Sequence, residues 1–357
     1  MKRRYFFIAG ALFLLAAFGA LNSEDFFAHY GHAVAKEQAA ASGQIVSPLE
    51  IHETRPEYFS LVVQPGPGNA PVIEKINSAQ KSIDLVMYTL DDTQVEKALG
   101  DAVARGVSVR VLLNGGYYSK KEGGNDGSYA MLQKLNVPAR WTPTSFALTH
   151  QKTLVVDGTD ALIMTFNLQS KYYATGRDFA IDDTDPADVA AIEKVFNADW
   201  EAKNIVAPEG SDLVWSPGSE DEMLYLIRMA SSTLDIYNEE MADEDITNAL
   251  VDAAKRGVHV RVDMTYATNW KPAFTTLKNG GVDVRTWASS SKKLYIHAKV
   301  IIVDGAQAFV GSENFSDTSL NKNRELGLVL RAPEVVASLE KIFNADYAAA
   351  RPFVVAQ

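Results

Sequence analysis

Two nine-residue stretches decide the fold of this chain: His150–Gly158, which reads HQKTLVVDG, and His297–Gly305, which reads HAKVIIVDG. Each begins with a histidine, has a lysine two positions later, continues through apolar residues and ends on Asp-Gly. They lie 147 positions apart (150 to 297), and the same spacing separates Phe196–Trp200 from Phe343–Tyr347 (196 to 343). A spacing that is kept over two distant motifs indicates that the 357-residue chain contains two copies of one structural unit.

Both copies show the same succession of predicted elements. A helix with apolar spacing, a short strand and a second helix that ends at an Arg-Gly-Val sequence precede the strand with the His-x-Lys pair. A last helix carries the Phe-Asn-Ala-Asp sequence that occurs in both copies. Helices that alternate with β-branched strands are typical of α/β sandwiches. The prediction is therefore an α/β fold with two tandem sandwich units, each around a mixed sheet.

The N-terminus has the composition of an export signal. Three basic residues at positions 2–4 precede an uninterrupted apolar or glycine run at positions 5–21, the pattern of a positive segment followed by a hydrophobic segment. An uncleaved anchor is the alternative, because a run of 17 residues (5 to 21) is at the lower edge of a membrane span. Either alternative predicts a secreted or periplasmic protein, retained at the membrane if the anchor stays. The predicted divisions are a signal peptide or anchor over 1–22, a linker over 23–57, a first unit over 58–207 and a second unit over 208–357.

Composition excludes several kinds of site and partner. The chain has no cysteine, which excludes thiol catalysis, disulfides and cysteine-based zinc sites. Its formal net charge is −11, the wrong sign for a protein held on a polyanion by a broad basic face. Nucleic acid is therefore disfavoured as a partner.

The His-x-Lys pair indicates chemistry at a phosphate group. Residues two apart in a strand point to the same side, so His150 lies beside Lys152, and His297 beside Lys299. Lysine suits a phosphate as a point charge, and histidine can be nucleophile, acid or base near neutral pH. Asp157 and Asp304, each directly before a glycine, are kept among the catalytic candidates, although bracing a turn is the more ordinary role of such an aspartate.

Four further polar residues lie at matched positions downstream of the two histidines: Asn167, Asn314, Asp178 and Glu325. The asparagines, 17 positions after each histidine, can donate amide hydrogens to phosphoryl oxygens. The carboxylates, 28 positions after each histidine, can accept from the far ring nitrogen and so set the tautomer and basicity of the imidazole. The preceding arginines, Arg177 and Arg324, are expected to brace carboxylates more than to bind phosphate.

These motifs resemble those of the phospholipase D superfamily, whose signature is the H-x-K-x4-D motif in two copies. The second copy continues with Gly311, Ser312, Asn314 and Ser316, the fuller form of the motif, and the block 323–325 also resembles the family. The resemblance extends over about residues 61–347. The first copy has Met164 and Thr165 where the family has a Gly-Ser pair, so the two half-sites are expected to differ. The hydroxyls of Thr165 and Ser312 join the predicted phosphate ligands.

The resemblance implies one active site, shared by two units related by a pseudo-twofold axis, that needs no metal and no cofactor. One histidine attacks phosphorus and the other protonates the leaving alcohol; by resemblance, His150 is the nucleophile and His297 the acid and base. The charge on the non-bridging oxygens is stabilised by four side chains: Lys152, Lys299, Asn167 and Asn314.

The resemblance further implies a phosphodiesterase that hydrolyses a phospholipid to phosphatidic acid and a head-group alcohol, with head-group exchange as an accompanying activity. Phosphatidyl transfer of the cardiolipin-synthase kind is the alternative, and a secreted nuclease is a third. A non-catalytic binding protein is disfavoured because both histidines, both lysines and both asparagines are present. The expected partner is a phospholipid or membrane surface; no obligate protein partner is inferred, and a monomer is expected. Aromatic residues near the motifs suit an apolar-tailed substrate, although core packing explains them equally well: Tyr117, Tyr118, Tyr172, Tyr173, Trp270 and Phe274.

Overall fold

The computed structural model of this chain describes residues 56–115, 124–290 and 292–355. The predicted signal or anchor and nearly all of the predicted linker lie outside these residues. Both repeats belong to one body of contacts, Leu49–Gln357. Over the part of the chain that the structure describes, no helix combines the length and apolarity that a membrane crossing requires.

The first repeat is built around seven strands: β1 (Phe59–Gln64), β2 (Ser82–Met87), β3 (Ser108–Leu113), β4 (Ala139–Trp141), β5 (Lys152–Val156), β6 (Asp160–Met164) and β7 (Gly176–Asp183). Their spatial order is β1-β7-β6-β5-β2-β3-β4. The contacts among β2, β3 and β4 are parallel and the others antiparallel, so the sheet is mixed.

The second repeat contributes nine strands: β8 (Leu213–Ser216), β9 (Thr233–Tyr237), β10 (His259–Thr265), β11 (Asp283–Trp287), β12 (Tyr295–Ile296), β13 (Lys299–Val303), β14 (Gln307–Gly311), β15 (Glu325–Leu330) and β16 (Arg351–Pro352). Eight of them form a mixed sheet in the order β16-β11-β10-β9-β13-β14-β15-β8. The ninth, β12, pairs in parallel with β7 and completes eight strands in the first sheet. The predicted fold class, two α/β units with mixed sheets, is confirmed.

Within the described residues there are nine α-helices: α1 (Ala70–Ser78), α2 (Thr93–Ala104), α3 (Asp126–Lys134), α4 (Pro186–Trp200), α5 (Glu220–Met229), α6 (Glu244–Lys255), α7 (Lys271–Asn279), α8 (Asp317–Asn321) and α9 (Pro333–Ala349). Helices α2 and α6 occupy corresponding positions in the two repeats. The side chains of Asp92 and Asp243 cap α2 and α6 by accepting from backbone amides of the first turn. This acceptor satisfies amides that have no partner within the helix.

Beyond their lysines the motif strands are almost entirely apolar, because both of their faces are buried. In β5, Leu154 joins the core under α1 and α2, whereas Val155 joins a second core that both repeats share. In β13, Ile301 faces the core under α5 and α6, whereas Ile302 enters the shared core. Burial of each such aliphatic side chain stabilises the folded state by about 1.5–3 kcal/mol. The shared core therefore favours a fixed placement of the two repeats against each other.

The joint between the repeats is tied to the start of α4 by a buried carboxylate. Asp188 accepts from the backbone amides of Ser211 and Asp212, and Gly210, with a φ of +61°, leaves no room for a side chain beside it. Asp183 is also fully buried. Burial, reinforced by the negative charge of Asp188, raises the pKa of Asp183 to about 8.

The buried Asp183 predicts a pH-dependent stability. Because its pKa is raised on folding, its contribution is fully present below about pH 4 and is lost as the pH rises towards 8. Asp183→Asn, which stays neutral, is expected to have a higher melting temperature than the wild type at pH 9 and a much smaller advantage at pH 5. Thermal unfolding at the two pH values measures this, and an equal difference at both would contradict it.

Candidate active site

The two histidines are brought to one place by reciprocal backbone pairing between the repeats. The amide of His150 donates to the carbonyl of Arg324 at 2.9 Å, and the amide of His297 donates to the carbonyl of Arg177 at 3.2 Å. Each histidine is thus hydrogen-bonded to the opposite repeat, at the arginine that directly precedes the carboxylate of that repeat. This arrangement is the pseudo-twofold relation that the sequence analysis predicts.

Each imidazole is held by a carboxylate of the opposite repeat. The distance from Nδ1 of His150 to Oε2 of Glu325 is 2.8 Å, and that from Nδ1 of His297 to Oδ1 of Asp178 is also 2.8 Å. An ionised carboxylate at Nδ1 favours the proton on that nitrogen, which leaves Nε2 for chemistry. The sequence predicts a carboxylate for each histidine, and the structure shows that the partners are exchanged between repeats.

Thr165 and Ser312 support these carboxylates, and their prediction as phosphate ligands is wrong. The hydroxyl of Thr165 donates to Asp178 at 2.6 Å, and that of Ser312 donates to Glu325 at 2.7 Å. Both hydroxyls also accept from a backbone amide of the neighbouring strand, and both residues are fully buried. Their hydrogen-bonding capacity is therefore directed away from a phosphate in the cavity.

The half-sites differ at the residues around these hydroxyls. In the second repeat the side chain of Glu313 is fully buried, and a Cβ at Gly311 would collide with its carboxylate. The matched residues of the first repeat are Phe166 and Met164, both buried. The second repeat thus has a small residue beside a buried carboxyl group where the first has two buried apolar side chains.

Both motif lysines are buried beside their histidines. Lys152 donates to the carbonyl of His150, and Lys299 to that of His297. Burial lowers the pKa of Lys152 to about 7, and its ammonium lies 5.2 Å from the ring centroid of Tyr88. An arriving phosphate anion would favour the charged form of this lysine.

The asparagines lie on the same cavity as the histidines. Asn167 and Asn314 line a cavity of about 940 Å³ together with His150 and His297. The side-chain oxygen of Asn167 accepts from the amide of Thr89 at 3.2 Å, which directs its NH₂ group elsewhere. These positions agree with donation to a phosphoryl group.

Among the predicted aromatic residues, Tyr172 and Tyr173 line this cavity, whereas Phe274 is buried in the core. Tyr117 and Tyr118 lie outside the described residues. Over the described ranges, histidine and acidic side chains nowhere form a group of three or more that could hold a metal ion.

The arginines brace the interface between the repeats, as expected. Arg177 forms a two-point pair with Asp346 at 2.6 and 2.9 Å, and Arg324 forms one with Asp199 at 3.0 and 3.1 Å. Both aspartates belong to the repeated Phe-Asn-Ala-Asp sequence, and each pair joins opposite repeats. The repeated helix motif therefore positions the strand that carries the carboxylate.

Asp157 and Asp304 do not reach the histidines, and their prediction as catalytic residues is wrong. They follow β5 and β13, five residues beyond the lysines, or about 16 Å at the rise of a strand. Both have a positive φ, and each carboxylate accepts from three consecutive backbone amides that lead into β2 or β9. They brace a turn.

Asp157→Ala therefore tests a structural role. Loss of the amide contacts is expected to lower the free energy of unfolding by about 1–2 kcal/mol without lowering kcat per folded molecule. Denaturant unfolding and a rate measurement on the folded fraction check this together. A large fall in kcat with unchanged stability would restore a catalytic role.

The site also contains a carboxylate that the sequence analysis missed. Glu239 follows β9 and lines the cavity, with Oε2 placed 3.4 Å from Nε2 of His297 and 3.1 Å from Nζ of Lys299. The repeat pattern could have indicated this residue. The offset of 151 that pairs Asp84 with Asp235 also pairs Tyr88 with Glu239, so the two copies differ at this position. A residue that differs between otherwise matched half-sites is a candidate for dividing their roles.

A duplicated α/β fold with two His-Lys motifs on one cavity defines the class of protein. A family model described as "Cardiolipin synthase, PLD-like domain" matches residues 72–200 and again residues 223–347, so the chain belongs to the phospholipase D superfamily.

Known proteins with similar sequences include phospholipases and synthases. Phospholipase D Y of Dictyostelium discoideum is 36% identical over 132 residues, which are 35% of this chain and 30% of that protein. Cardiolipin synthase 2 of Bacillus anthracis is 25% identical over 325 residues, which are 77% of this chain and 62% of that protein. This chain thus spans less than two thirds of either relative. The crystal structure of phosphatidylserine synthase from Haemophilus influenzae Rd KW20 has the same fold, with a TM-score of 0.66 at 14% identity, over 83% of this chain and 88% of that one.

Proposed function

We propose that this protein cleaves phosphodiester bonds and moves a phosphatidyl group through a phosphohistidine intermediate. The observation that carries the proposal is the exchanged pairing of His150 with Glu325 and of His297 with Asp178 at one cavity. Two imidazoles arranged in this way can supply a nucleophile and a proton donor to opposite sides of one phosphorus.

In the first step, His150 is the nucleophile. Burial lowers its pKa to about 4, so the ring is neutral at pH 7 and Nε2 has a free electron pair. Nε2 attacks phosphorus, the bond from phosphorus to the leaving oxygen breaks, and a proton on Nε2 of His297 passes to that oxygen. Glu325 stabilises the positive charge that develops on the ring.

In the second step, the intermediate is resolved by an oxygen nucleophile. Neutral His297 takes a proton from water or an alcohol, whose oxygen attacks phosphorus while the bond to His150 breaks. Both histidines return to their starting states. Lys152, Lys299 and the asparagine amides stabilise the charge on the non-bridging oxygens in both steps.

A glycerophospholipid is the proposed substrate, and water or a second alcohol is the acceptor. The names of the relatives support a lipid, and the cardiolipin synthase match over 77% of the chain supports an alcohol as acceptor beside water. A cavity of about 940 Å³ with tyrosine and polar side chains suits a head group together with an acceptor. Water as acceptor gives phosphatidic acid, and the glycerol of phosphatidylglycerol gives a two-phosphatidyl product.

The decisive experiment offers the full chain three substrates in the presence of a chelator: phosphatidylcholine vesicles, phosphatidylglycerol vesicles and single-stranded DNA. We expect release of head-group alcohol from lipid, with phosphatidic acid or cardiolipin as the second product. The ratio of these products distinguishes hydrolysis from transfer. Cleavage of DNA with both lipids unchanged would overturn the lipid assignment and leave the phosphohistidine mechanism in place.

We also propose that the protein is exported, with either a cleaved signal or a retained anchor, and that it is a monomer. These proposals follow from the N-terminal composition and from the absence of any inferred partner. Fractionation of cells that express the full chain, with N-terminal sequencing of the product, tests the first two. Light scattering of the purified protein tests the third.

A further inference from the structure

The two histidines have different neighbours although the repeats match. The ring of Tyr88 meets the ring of His150 edge-on, with a centroid distance of 4.5 Å. At the matched position of the second repeat, the carboxylate of Glu239 lies 3.4 Å from Nε2 of His297. One imidazole therefore faces an aromatic edge where the other faces an anion.

Glu239 is held in this position by a specific set of contacts. The hydroxyl of Tyr295 donates to its Oε1 at 2.7 Å, and Nζ of Lys299 lies 3.1 Å from its Oε2. Burial opposes ionisation, but the positive charges of Lys299 and His297 and the hydrogen bond from Tyr295 hold the pKa of Glu239 well below its usual range. The side chain is 25% exposed, so a ligand in the cavity can reach it.

His297 consequently has a carboxylate at each ring nitrogen. Asp178, from β7, lies 2.8 Å from Nδ1, and Glu239, after β9, lies 3.4 Å from Nε2. Asp178 is hydrogen-bonded to the ring, whereas Glu239 lies at an ion-pair distance and acts on Nε2 through its charge, which favours a proton at that nitrogen. Lys299, which donates to the carbonyl of His297, and Tyr295, whose ring stacks on that of His297, also contact this residue, and both are bound to Glu239.

We propose that Glu239 is the positioning residue that makes the two histidines unequal: it holds His297 as the proton donor, and Tyr88 at the matched position leaves His150 as the nucleophile. The inference rests on the proposed function. When a phosphodiester enters, its leaving oxygen takes the place of the carboxylate at Nε2, and the proton held there passes to that oxygen.

The test compares two leaving groups in Glu239→Gln, a change that removes the charge and keeps the shape. With an alkyl phosphodiester, whose leaving oxygen needs a proton, kcat is expected to fall about 100-fold. With a p-nitrophenyl phosphodiester, kcat is expected to stay within about threefold of the wild type, because p-nitrophenolate leaves without a proton. Glu334→Gln, an exposed position on α9, is the matched control and should change neither rate.

Two outcomes would overturn the inference. An equal loss on both substrates, in a variant with unchanged thermal unfolding, means that Glu239 serves packing alone. Faster turnover on both means that its carboxylate only obstructs the phosphate position.

A wild type that cleaves neither substrate overturns the proposed function, and a measurement without turnover then decides the inference. The chain has six histidines, so ¹⁵N-histidine labelling with His297→Asn for assignment resolves the imidazole in question. We expect the ¹⁵N signal of Nε2 of His297 to differ between the wild type and Glu239→Gln, because the variant removes the charge that lies 3.4 Å from that nitrogen. Identical spectra would refute the inference.

Discussion

His150→Asn is expected to abolish formation of the phosphohistidine and to reduce turnover by at least about 10⁴-fold, because it removes the attacking electron pair. His297→Asn is expected to reduce turnover of an alkyl phosphodiester by a similar factor for a different reason. It leaves the nucleophile in place but removes the proton donor and the base that activates water. The two variants should therefore differ in the intermediate that they accumulate.

That difference is measurable with a radiolabelled p-nitrophenyl phosphodiester, quenched in alkali because phosphohistidine is labile in acid. His297→Asn should accumulate a labelled protein whose label maps to His150, and His150→Asn should accumulate none. The converse labelling, at His297 in His150→Asn, would reverse the assignment of the two roles. Robust turnover in either variant would contradict the two-histidine mechanism.

Glu325→Gln is expected to slow formation of the intermediate by about 10³–10⁴-fold, although Glu325 and the histidine that it holds belong to different repeats. The amide cannot stabilise the positive charge that develops on His150, and it can present its NH₂ group to Nδ1 and favour the unproductive tautomer. Asp178→Asn acts on His297 instead, so it should affect the alkyl phosphodiester more than the p-nitrophenyl one. Pre-steady-state release of p-nitrophenol separates the two variants.

Stability must be measured together with these rates. Glu325 is fully buried and accepts from Ser312, Ser319 and Asn323 as well as from the histidine. Glutamine keeps the size of the side chain, but each oxygen of Glu325 accepts from two donors, so the amide leaves two of them without an acceptor. Thermal unfolding of the variant is therefore the control. An unchanged rate of p-nitrophenol release would show that the carboxylate of one repeat does not serve the histidine of the other.

Much of the architecture could be predicted because it is encoded locally. The β-branched residues of β5 and β13 and the Arg-Gly-Val helix ends are local features of the chain, and the repeat spacing shows that they occur twice. The two mixed-sheet units follow from them. The errors concern groups whose role depends on distant partners. Thr165 and Ser312 have hydroxyls that suit a phosphate, and only the buried carboxylates beside them show that the hydrogens are already donated.

The sequence by itself determined that this chain is a duplicated α/β protein and that a His-Lys pair recurs in both copies, because a repeated spacing and a period-two strand pattern survive without any knowledge of contacts. Only the tertiary structure decided which carboxylate holds which histidine. His150 and Glu325 are 175 positions apart, and His297 and Asp178 are 119 apart. From the sequence alone, either carboxylate could be the partner of either histidine. The choice depends on how the two sheets pack through their shared core, and the same packing places Glu239 against one histidine and Tyr88 against the other.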